Sequence, residues 1–383
     1  MATGHRDLSR RLGILIGGSG LLGGTLMHYF KTKAGDEFDL LVPNSKRLSL
    51  REPDDVRRYF RKNRPDFIVN CAIAAIDSDP KLAYEVNYLG AVNLARVALA
   101  FGIPYIHLSS AAVLPNGENL SEDDSLPLAA DLGNYAKSKL MAELTLQHMH
   151  RKQGLDYTCI RLGVVYGEHD HKIQGFSRLL YSVADQAMPV LLSKRGVMHS
   201  YSNAGKLPFF VHHLLDNRAE FSGQTYHFVD PEPVELVSLV LTLKSYLELK
   251  TPREIFLPYR LARTSRGMLR HVLRFLRRIG VNASEPAELI FLENFYQTQT
   301  LSAAKLGSSS FVDPAPAATV YTSIPELIQY YLTRWEHLNL ISSYNKEFFD
   351  LNHRADAFVR MPGLLLEEIN QESGRPIEDL GDF

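Results

Sequence analysis

The fold of this chain is decided by the stretch Ile14-Leu-Ile-Gly17-Gly-Ser-Gly20-Leu-Leu-Gly23. An apolar run comes first, glycines at a fixed three-residue spacing follow, and a helical pattern over Thr25–Thr32 comes next. Glycine permits a tight turn and a close approach of the backbone to a phosphate, and a helix N-terminus presents N–H groups to an anion. The pattern predicts dinucleotide binding rather than a purely structural turn. The predicted contacts are Gly17, Ser19, Gly20, Leu21, Leu22 and Gly23.

Strand-like apolar runs alternate with helical patterns from Leu12 to about Gly167. The predicted strands are Leu12–Ile16, Phe38–Val42, Phe67–Cys71, Tyr105–Ser109 and Tyr157–Leu162. The predicted helices between them include Pro53–Lys62, Lys81–Ala100 and Tyr135–Lys152. Such alternation indicates a parallel sheet with right-handed crossovers and helices on both faces. The predicted fold class is α/β, with a Rossmann-like doubly wound parallel sheet that binds its ligand beyond the carboxyl ends of the strands.

The pattern loosens after Gly167, which predicts three regions. Residues 1–167 form the dinucleotide-binding domain, and residues 168–335 form a smaller, helix-rich substrate lobe interleaved with the sheet. Residues 336–383 are polar and end in an acidic stretch, so they are predicted to be an appended extension.

Charge and cysteine usage limit the classes of partner and compartment. The 42 Lys and Arg residues nearly balance the 43 Asp and Glu residues, which argues against a nucleic-acid partner. Cys71 and Cys159 lie in apolar runs and are predicted to be free core thiols, as is typical of a reducing compartment. The apolar stretch near the start of the chain breaks at Gly17, too early for a signal-peptide core or a transmembrane segment. These features predict a cytoplasmic protein.

The residues after the second strand bear on the choice of cofactor. The segment Val42-Pro-Asn-Ser-Lys46-Arg47 carries no acidic residue that would bind an unphosphorylated ribose. Lys46 and Arg47 are cations suited to a 2′-phosphate. The sequence therefore favours NADP(H), with NAD(H) and solvated loop charges as the alternatives.

A tyrosine and a lysine stand four residues apart in Tyr135-Ala-Lys-Ser-Lys139. This spacing puts both on one helix face, where an ammonium is expected to lower the pKa of the phenol and make it a general acid/base. Ser110 ends a strand at the same sheet edge and is the candidate to polarise a carbonyl, with Ser109 in reserve. Together these residues predict a proton-transfer site.

The glycine turn, Val69-Asn-Cys-Ala72, Asn87, Ser110 and the Tyr135/Lys139 pair, in this order, resemble the extended short-chain dehydrogenase/reductase superfamily (NAD-dependent epimerase/dehydratase). The resemblance implies Tyr135 as acid/base, Lys139 as its activator and ribose ligand, Ser110 as substrate polariser and Asn87 as a helix-kinking or proton-relay residue. Arg161-Leu-Gly-Val-Val-Tyr-Gly167 is similar to the family loop that passes the nicotinamide. The cofactor contacts thereby implied are Cys71, Ala72, Gly163 and Val164, besides Tyr135 and Lys139.

The substrate is less closely defined. The first half of the chain is similar to the branch of dTDP-4-dehydrorhamnose reductases, which implies an NAD(P)H-dependent oxidoreductase acting on a nucleotide sugar. Ser49, in Leu48-Ser49-Leu50, stands where those reductases are expected to have an acidic residue. Three later segments look instead like the wider epimerase, dehydratase and hydroxysteroid-dehydrogenase branches: Pro208–Asp216, Gly223–Val229 and Leu301–Gly307. An epimerase or dehydratase is therefore the alternative, although Leu114-Pro-Asn-Gly117 offers no extra carboxylate. A cofactor-sensing protein without turnover is a third hypothesis.

Two further features concern partners. Arginines recur every three or four residues over 258–280, beside a leucine-rich side. This pattern indicates a solvated face over the core, with contact to an anionic membrane or to a lipidic or carrier-bound substrate as the alternative. His107 is predicted to be a core residue, and His169 and His171 lack a third ligand, so no structural metal is predicted. The resemblance also admits a homodimer, for which the sequence locates no interface.

Overall fold

The computed structural model describes residues 9–76, 78–171, 173–185, 188, 190–192, 194–256, 258–261, 293–338, 340, 361–363 and 366 of the 383-residue chain. The chain divides into two compact units. The first takes Met1–Arg178, Lys194–Leu236 and Glu293–Ile324, and the second takes Leu179–Ser193, Val237–Leu292 and Pro325–Phe383. The predicted boundaries at residues 167 and 335 remain predictions.

The strands follow one another as β1 Arg11–Ile16, β2 Phe38–Leu41, β3 Phe67–Asn70, β4 Tyr105–Ser110, β5 Gly117–Leu120, β6 Tyr157–Leu162, β7 Val164–Tyr166, β8 Val190–Leu192, β9 Met198–His199, β10 Tyr201–Asn203, β11 Gln224–Phe228, β12 Val234–Glu235, β13 Arg253–Ile255 and β14 Gln299–Leu301. The α-helices are α1 Leu21–Thr32, α2 Pro53–Asn63, α3 Pro80–Ala83, α4 Gly90–Phe101, α5 Asn134–Gln153, α6 Phe176–Ala184, α7 Leu207–Asp216, α8 Arg218–Phe221, α9 Leu236–Tyr246, α10 Ala304–Gly307 and α11 Val320–His337. The described residues also include a π-helical turn, Tyr84–Leu89, and a 3-10 turn, Ala111–Val113.

Six strands form the main sheet of the first unit, in the order β2-β1-β3-β4-β6-β11. Every neighbouring pair is parallel. The chain moves outward from β1 to β2 and then returns to the other side of β1 as β3, so the strand order reverses between β1 and β3. Such a reversal opens a crevice at the carboxyl ends of the strands. The predicted α/β fold with a Rossmann-like doubly wound sheet is confirmed.

Both faces of this sheet are covered, which explains why most residues of its central strands are buried. On one face, Leu26 and Phe30 of α1 and Phe210 of α7 belong to a buried cluster. On the other, Phe60 of α2 and Leu94 of α4 belong to a second cluster. The remaining strands of the first unit form a mixed sheet in the order β12-β9-β14-β5 and a parallel pair, β7 with β10.

The described part of the second unit contains the parallel pair of β8 and β13. Its largest buried side chain is Trp335, whose ring stacks on Tyr331 at 5.2 Å between centroids and meets Tyr181 edge-on at 5.1 Å.

Two predicted features fall largely outside the described residues. The arginine-rich pattern over 258–280 is described only as far as residue 261, and the extension over 336–383 is described at few positions. Within the described parts of the chain, the helices are too short or too polar to cross a bilayer.

Candidate functional site

The glycine turn joins β1 to α1 at the point where the strand order reverses. Gly17 has a φ of +81°, which residues with side chains rarely adopt. A Cβ at Gly17 would lie 2.7 Å from the carbonyl carbon and oxygen of Cys71, the residue that follows β3. The turn therefore rests directly against the end of the neighbouring strand.

Gly20 and Gly23 have different surroundings. A Cβ at Gly23 would lie 2.2 Å from the carbonyl oxygen of Gly17, so only glycine lets the helix begin this close to the turn. A Cβ at Gly20 would lie 3.6 Å from the same oxygen, which is an ordinary contact. Gly20 is the N-cap of α1 and provides no capping side chain, so the first-turn N–H groups of this 12-residue helix face the space beside it. The turn fits a dinucleotide phosphate.

The helix α1 begins at Leu21, four residues before the predicted start at Thr25. The predicted contacts Leu21, Leu22 and Gly23 therefore belong to its first turn, while Ser19 lies in the loop before it. The sequence placed the start too late because glycine lowers helix propensity, although Gly23 and Gly24 are accommodated here by the packing of α1 on the sheet.

Lys46 and Arg47 follow β2, the strand next to β1. The side-chain oxygen of Asn44 accepts hydrogen bonds from the backbone N–H groups of both residues, at 3.1 Å each. Such bonds fix a turn. Both cationic side chains are exposed, and their contact with a cofactor remains a prediction.

Ser110 and Tyr135 meet at the carboxyl end of β4. Ser110 is the last residue of that strand, and Tyr135 lies in the first turn of α5. Their side chains lie close enough for Ser110 to influence the pKa of Tyr135. Ser110 Oγ also accepts the backbone N–H of Ala112 at 3.2 Å, as the cap of the 3-10 turn. Ser109 is 4% exposed, and alternation along the strand points it to the opposite face of the sheet.

The pKa of Tyr135 differs from the expectation. The sequence predicts that Lys139 lowers it, whereas in the structure the pKa of Tyr135 is raised. Burial of the phenol is the larger cause, because it disfavours the phenolate, and the nearby Ser110 side chain opposes it. The prediction of a lowered pKa is therefore wrong for the protein alone, and Tyr135 is protonated at neutral pH.

Lys139 lies one helical turn beyond Tyr135 and is 3% exposed. Its Nζ donates a hydrogen bond to the carbonyl oxygen of Leu108, in β4, at 2.8 Å. Burial lowers the pKa of Lys139 to about 8, against the opposing influence of nearby groups. These groups are Cys159, Cys71 and Glu143.

A buried ion pair continues the same face of α5. Glu143 lies one turn beyond Lys139 and accepts hydrogen bonds from Arg161 Nη2 at 2.8 Å and Nε at 3.1 Å. The two side chains are 1% and 2% exposed. Arg161 Nη1 also donates to the carbonyl oxygens of Glu122 and Asp124, at 3.0 Å each. Sequence reasoning took Arg161 only as the start of a loop motif and missed Glu143, which its four-residue spacing from Lys139 could have revealed.

Asn87 lies in the π-helical turn and is 1% exposed. Its Oδ1 accepts the backbone N–H of Ala74 at 2.8 Å, and its Nδ2 donates to Ser138 Oγ at 3.1 Å. Ser138 Oγ in turn donates to the carbonyl oxygen of Tyr135 at 2.9 Å. Asn87 therefore joins the segment after β3 to the turn of α5 that carries Tyr135. Ala72, in that segment, donates its N–H to Asn70 Oδ1 at 3.1 Å.

Gly163 and Val164 follow β6. A Cβ at Gly163 would lie 2.2 Å from the carbonyl oxygen of Ser200, and the Val164 N–H donates to that same oxygen at 2.9 Å. The Gly163 N–H donates to Ser202 Oγ at 2.9 Å. These residues are therefore fixed against the β9–β10 segment.

The histidines differ in environment. His107 is fully buried in β4, and burial together with the nearby Lys139 holds its pKa well below the usual value. His169 and His171 lie in an exposed loop after β7.

Among the described residues, Glu37, His212 and Asp216 form a group whose ligand atoms lie within 4.8 Å of one another. Arg11 contacts Asp216 at 2.6 Å and lies 4.0 Å from Glu37, so an arginine already supplies positive charge there.

Comparison with known proteins defines the class. Residues 14–196 match the NAD dependent epimerase/dehydratase family. The resemblance to the extended short-chain dehydrogenase/reductase superfamily that the motifs indicate is thereby confirmed for this part of the chain.

Two similar proteins each align with about two fifths of this chain. Methionine adenosyltransferase 2 subunit beta of Xenopus laevis is 28% identical over 166 residues, 41% of this chain and 48% of the relative. The dTDP-4-dehydrorhamnose reductase of Sinorhizobium fredii is 28% identical over 162 residues, 40% of this chain and 51% of the relative. The chain thus spans about half the length of the curated relatives it matches.

Among solved structures, dTDP-4-dehydrorhamnose reductase from Bacillus anthracis in complex with NADP superposes with a TM-score of 0.59 at 17% identity. The superposition covers 84% of this chain and 99% of the reductase. This likeness shows the fold.

Proposed function

We propose that the protein is an NAD(P)H-dependent oxidoreductase that reduces a carbonyl group, or oxidises a secondary alcohol, of a nucleotide sugar. The observation that carries the proposal is the placement of Ser110 at the end of β4 beside Tyr135 in the first turn of α5, with the buried Lys139 one helical turn away. These groups lie at the same carboxyl edge of the sheet as the glycine turn, which follows β1. A proton donor and a dinucleotide-binding turn at one edge are what carbonyl reduction requires.

Each residue has a role in the reduction direction. A bound dihydronicotinamide supplies the hydride to the carbonyl carbon. Tyr135 donates its phenolic proton to the carbonyl oxygen as negative charge develops there, and Ser110 donates a hydrogen bond to the same oxygen. The Lys139 ammonium stabilises the phenolate that remains. Oxidation of an alcohol reverses each transfer.

The cofactor is proposed to be NADPH. Lys46 and Arg47 are held in a turn beyond β2 and are exposed, and no acidic residue precedes them in Val42–Arg47. Arginine is shaped to bind a 2′-phosphate. The solved reductase that contains NADP supports this choice, and NADH is the alternative.

The substrate class rests on the dTDP-4-dehydrorhamnose reductases among the relatives and the solved structures. Simple reduction is preferred to dehydration because the segment that follows Ser110, Ala111–Gly117, contains no carboxylate. A dehydratase needs an additional acid/base there. The cysteines are unpaired, with Cys159 buried, in keeping with the cytoplasmic location that we propose.

The test is turnover by purified protein of 4-keto sugar nucleotides with NADPH or NADH, followed at 340 nm. We expect NADPH to be oxidised, and Tyr135→Phe to lower kcat by about 10²- to 10⁴-fold while the Kd for NADPH is unchanged. Tyr246→Phe, the same substitution at an exposed tyrosine, is the control. Normal turnover by Tyr135→Phe would refute the assignment of the acid.

A second candidate is a dinucleotide-binding subunit without turnover of its own. The relative named methionine adenosyltransferase 2 subunit beta favours it. This candidate predicts that NADPH binds, that no keto sugar is reduced, and that Tyr135→Phe leaves binding and every other measured property unchanged.

A further inference from the structure

Gln299, the first residue of β14, has a side-chain amide that reaches the segment after Ser110. Its Nε2 lies 3.1 Å from the carbonyl oxygen of Ala111, 3.2 Å from that of Leu114 and 3.1 Å from that of Pro115. One NH₂ group therefore serves three carbonyl oxygens. The sequence does not indicate this contact, because about 185 residues separate Gln299 from these carbonyl groups.

The Ala111 carbonyl belongs to the 3-10 turn that follows Ser110, and Leu114 and Pro115 come directly after that turn. The Leu114 N–H donates to the Ala111 carbonyl oxygen at 2.9 Å, which closes the 3-10 turn, and the Ala112 N–H reaches Ser110 Oγ at 3.2 Å. Three carbonyl dipoles that converge on one point repel one another unless a donor lies between them. The Gln299 amide is such a donor, so the turn, and with it the Ala112 N–H, depends on Gln299.

The strand β14 is itself tied to the other side of the candidate site. The Ser200 N–H donates to the Gln299 carbonyl oxygen at 3.3 Å, and the Leu301 N–H donates to Ser200 Oγ at 2.9 Å. The Ser200 carbonyl oxygen accepts the Val164 N–H. One short strand thus connects the turn after Ser110 to the segment that passes the predicted nicotinamide position.

We propose that Gln299 is a positioning residue for Ser110. It holds the turn Ala111–Val113 so that the Ser110 hydroxyl stays aimed at Tyr135 and at the substrate oxygen. This inference rests on the function proposed above for Ser110 and Tyr135. Because Gln299 acts through Ser110, its removal is expected to slow the chemical step without weakening cofactor binding.

A double-mutant cycle tests this dependence in the full-length protein. We expect Gln299→Met to lower kcat about tenfold, with the Kd for NADPH unchanged within about twofold. In a Ser110→Ala background, where the hydroxyl is already absent, the same substitution should change kcat by less than about twofold. An equal loss in both backgrounds would show that Gln299 does not act through Ser110 and would overturn the proposal.

Gln297→Met is the matched control. Gln297 lies two residues away and accepts a hydrogen bond from Asn116 at 2.7 Å, outside the turn. We expect it to keep the parental kcat. Gln299→Glu, of the same size, provides a second variant if Gln299→Met does not fold, and its carboxylate among carbonyl oxygens should lower kcat at least as far.

Amide hydrogen exchange measures the turn without any substrate. Gln299→Met should accelerate exchange in residues 110–114 and Gln297→Met should not. If the parental protein reduces no keto sugar but the exchange result holds, the proposed function fails while the contact of Gln299 stands. If exchange in residues 110–114 is unchanged, the positioning role is refuted whatever the activity.

Discussion

Lys139 is a cation held almost out of contact with water. Its surroundings contain two thiols, a carboxylate and the carbonyl oxygen of Leu108, to which its Nζ donates. Burial of an ammonium is costly even with such partners, which is why the pKa of Lys139 falls to about 8 from 10.5. Lys139 therefore lowers the stability of the fold, as is common for groups that act in chemistry.

This cost has a measurable pH dependence. Between about pH 8 and 10.5 the unfolded chain keeps a proton on residue 139 that the native chain has released, so this group makes the free energy of unfolding rise with pH. Below pH 8 both states hold the proton and the cost is complete. We expect the stability of the parent relative to Lys139→Met to increase by about 1 kcal/mol per pH unit from pH 8 to 10.

Urea unfolding of both proteins at pH 7, 8, 9 and 10 gives this difference. The test is how this difference in the free energy of unfolding changes with pH. Its size at any one pH is less informative, because Lys139→Met also loses the hydrogen bond to Leu108, a cost that does not depend on pH. Lys137→Met, the same substitution on the same helix, is the control. If the difference in the free energy of unfolding is constant with pH, then burial does not lower the pKa of Lys139 in the folded protein.

Residues near one another in sequence were predictable, and residues joined only by the fold were not. Tyr135 and Lys139 share a helix face by spacing, and Ser110 was placed at their edge by the parallel sheet. The sign of the Tyr135 pKa shift was not predictable, since it depends on how completely the phenol is buried. Gln299 could not be identified from the sequence either, because its contacts with the segment after Ser110 form only when β14 pairs with β5.

At the scale of the element, the glycines of α1 and of the turn before it differ in what requires them. One is required by the packing of the protein itself, and another has room for a side chain unless a ligand is bound. The protein itself requires Gly23, whose Cβ would lie 2.2 Å from the Gly17 carbonyl oxygen. It does not require Gly20, which has room for a side chain. If Gly20 is needed, the need comes from a ligand at the N-terminus of α1.

Two valine substitutions separate these demands. Gly20→Val should leave the Tm within a few degrees of the parent and weaken NADPH binding more than tenfold, because the side chain covers the helix N-terminus. Gly23→Val should lower the Tm strongly, since the turn cannot close. Gly24→Val, whose Cβ would lie 3.8 Å from the nearest atom, is the control and should bind NADPH normally.

Thermal unfolding and quenching of protein fluorescence by NADPH measure both properties. Unchanged NADPH affinity in folded Gly20→Val would place the phosphates away from α1. Loss of folding in Gly20→Val would mean that the space beside residue 20 is filled by the protein.

At the scale of the whole molecule, the core of the nucleotide-binding fold is not contained in the part that the family comparison matches, residues 14–196. The edge strand β11 and the helix α7 both lie beyond residue 196. Phe210 of α7 stacks on Phe228, next to Leu15 and Phe30 in one buried cluster. Sequence patterns predicted the five strands up to Leu162 but did not place β11 in the sheet, since its pairing with β6 is set by the chain's return after the β7–β10 segment.

A fragment of residues 1–196 is therefore expected not to fold, although it contains every predicted cofactor contact and Ser110, Tyr135 and Lys139. Without β11 and α7 it exposes one edge of the sheet and the apolar face that Phe210 covers, which favours aggregation. We expect no cooperative thermal transition and no NADPH binding by this fragment. Full-length Phe210→Ala, which loses only one side chain of the cluster, should be destabilised by about 3–5 kcal/mol and still bind NADPH when folded. Cooperative unfolding and NADPH binding by the fragment would show that the sheet is complete without the segments that return to it.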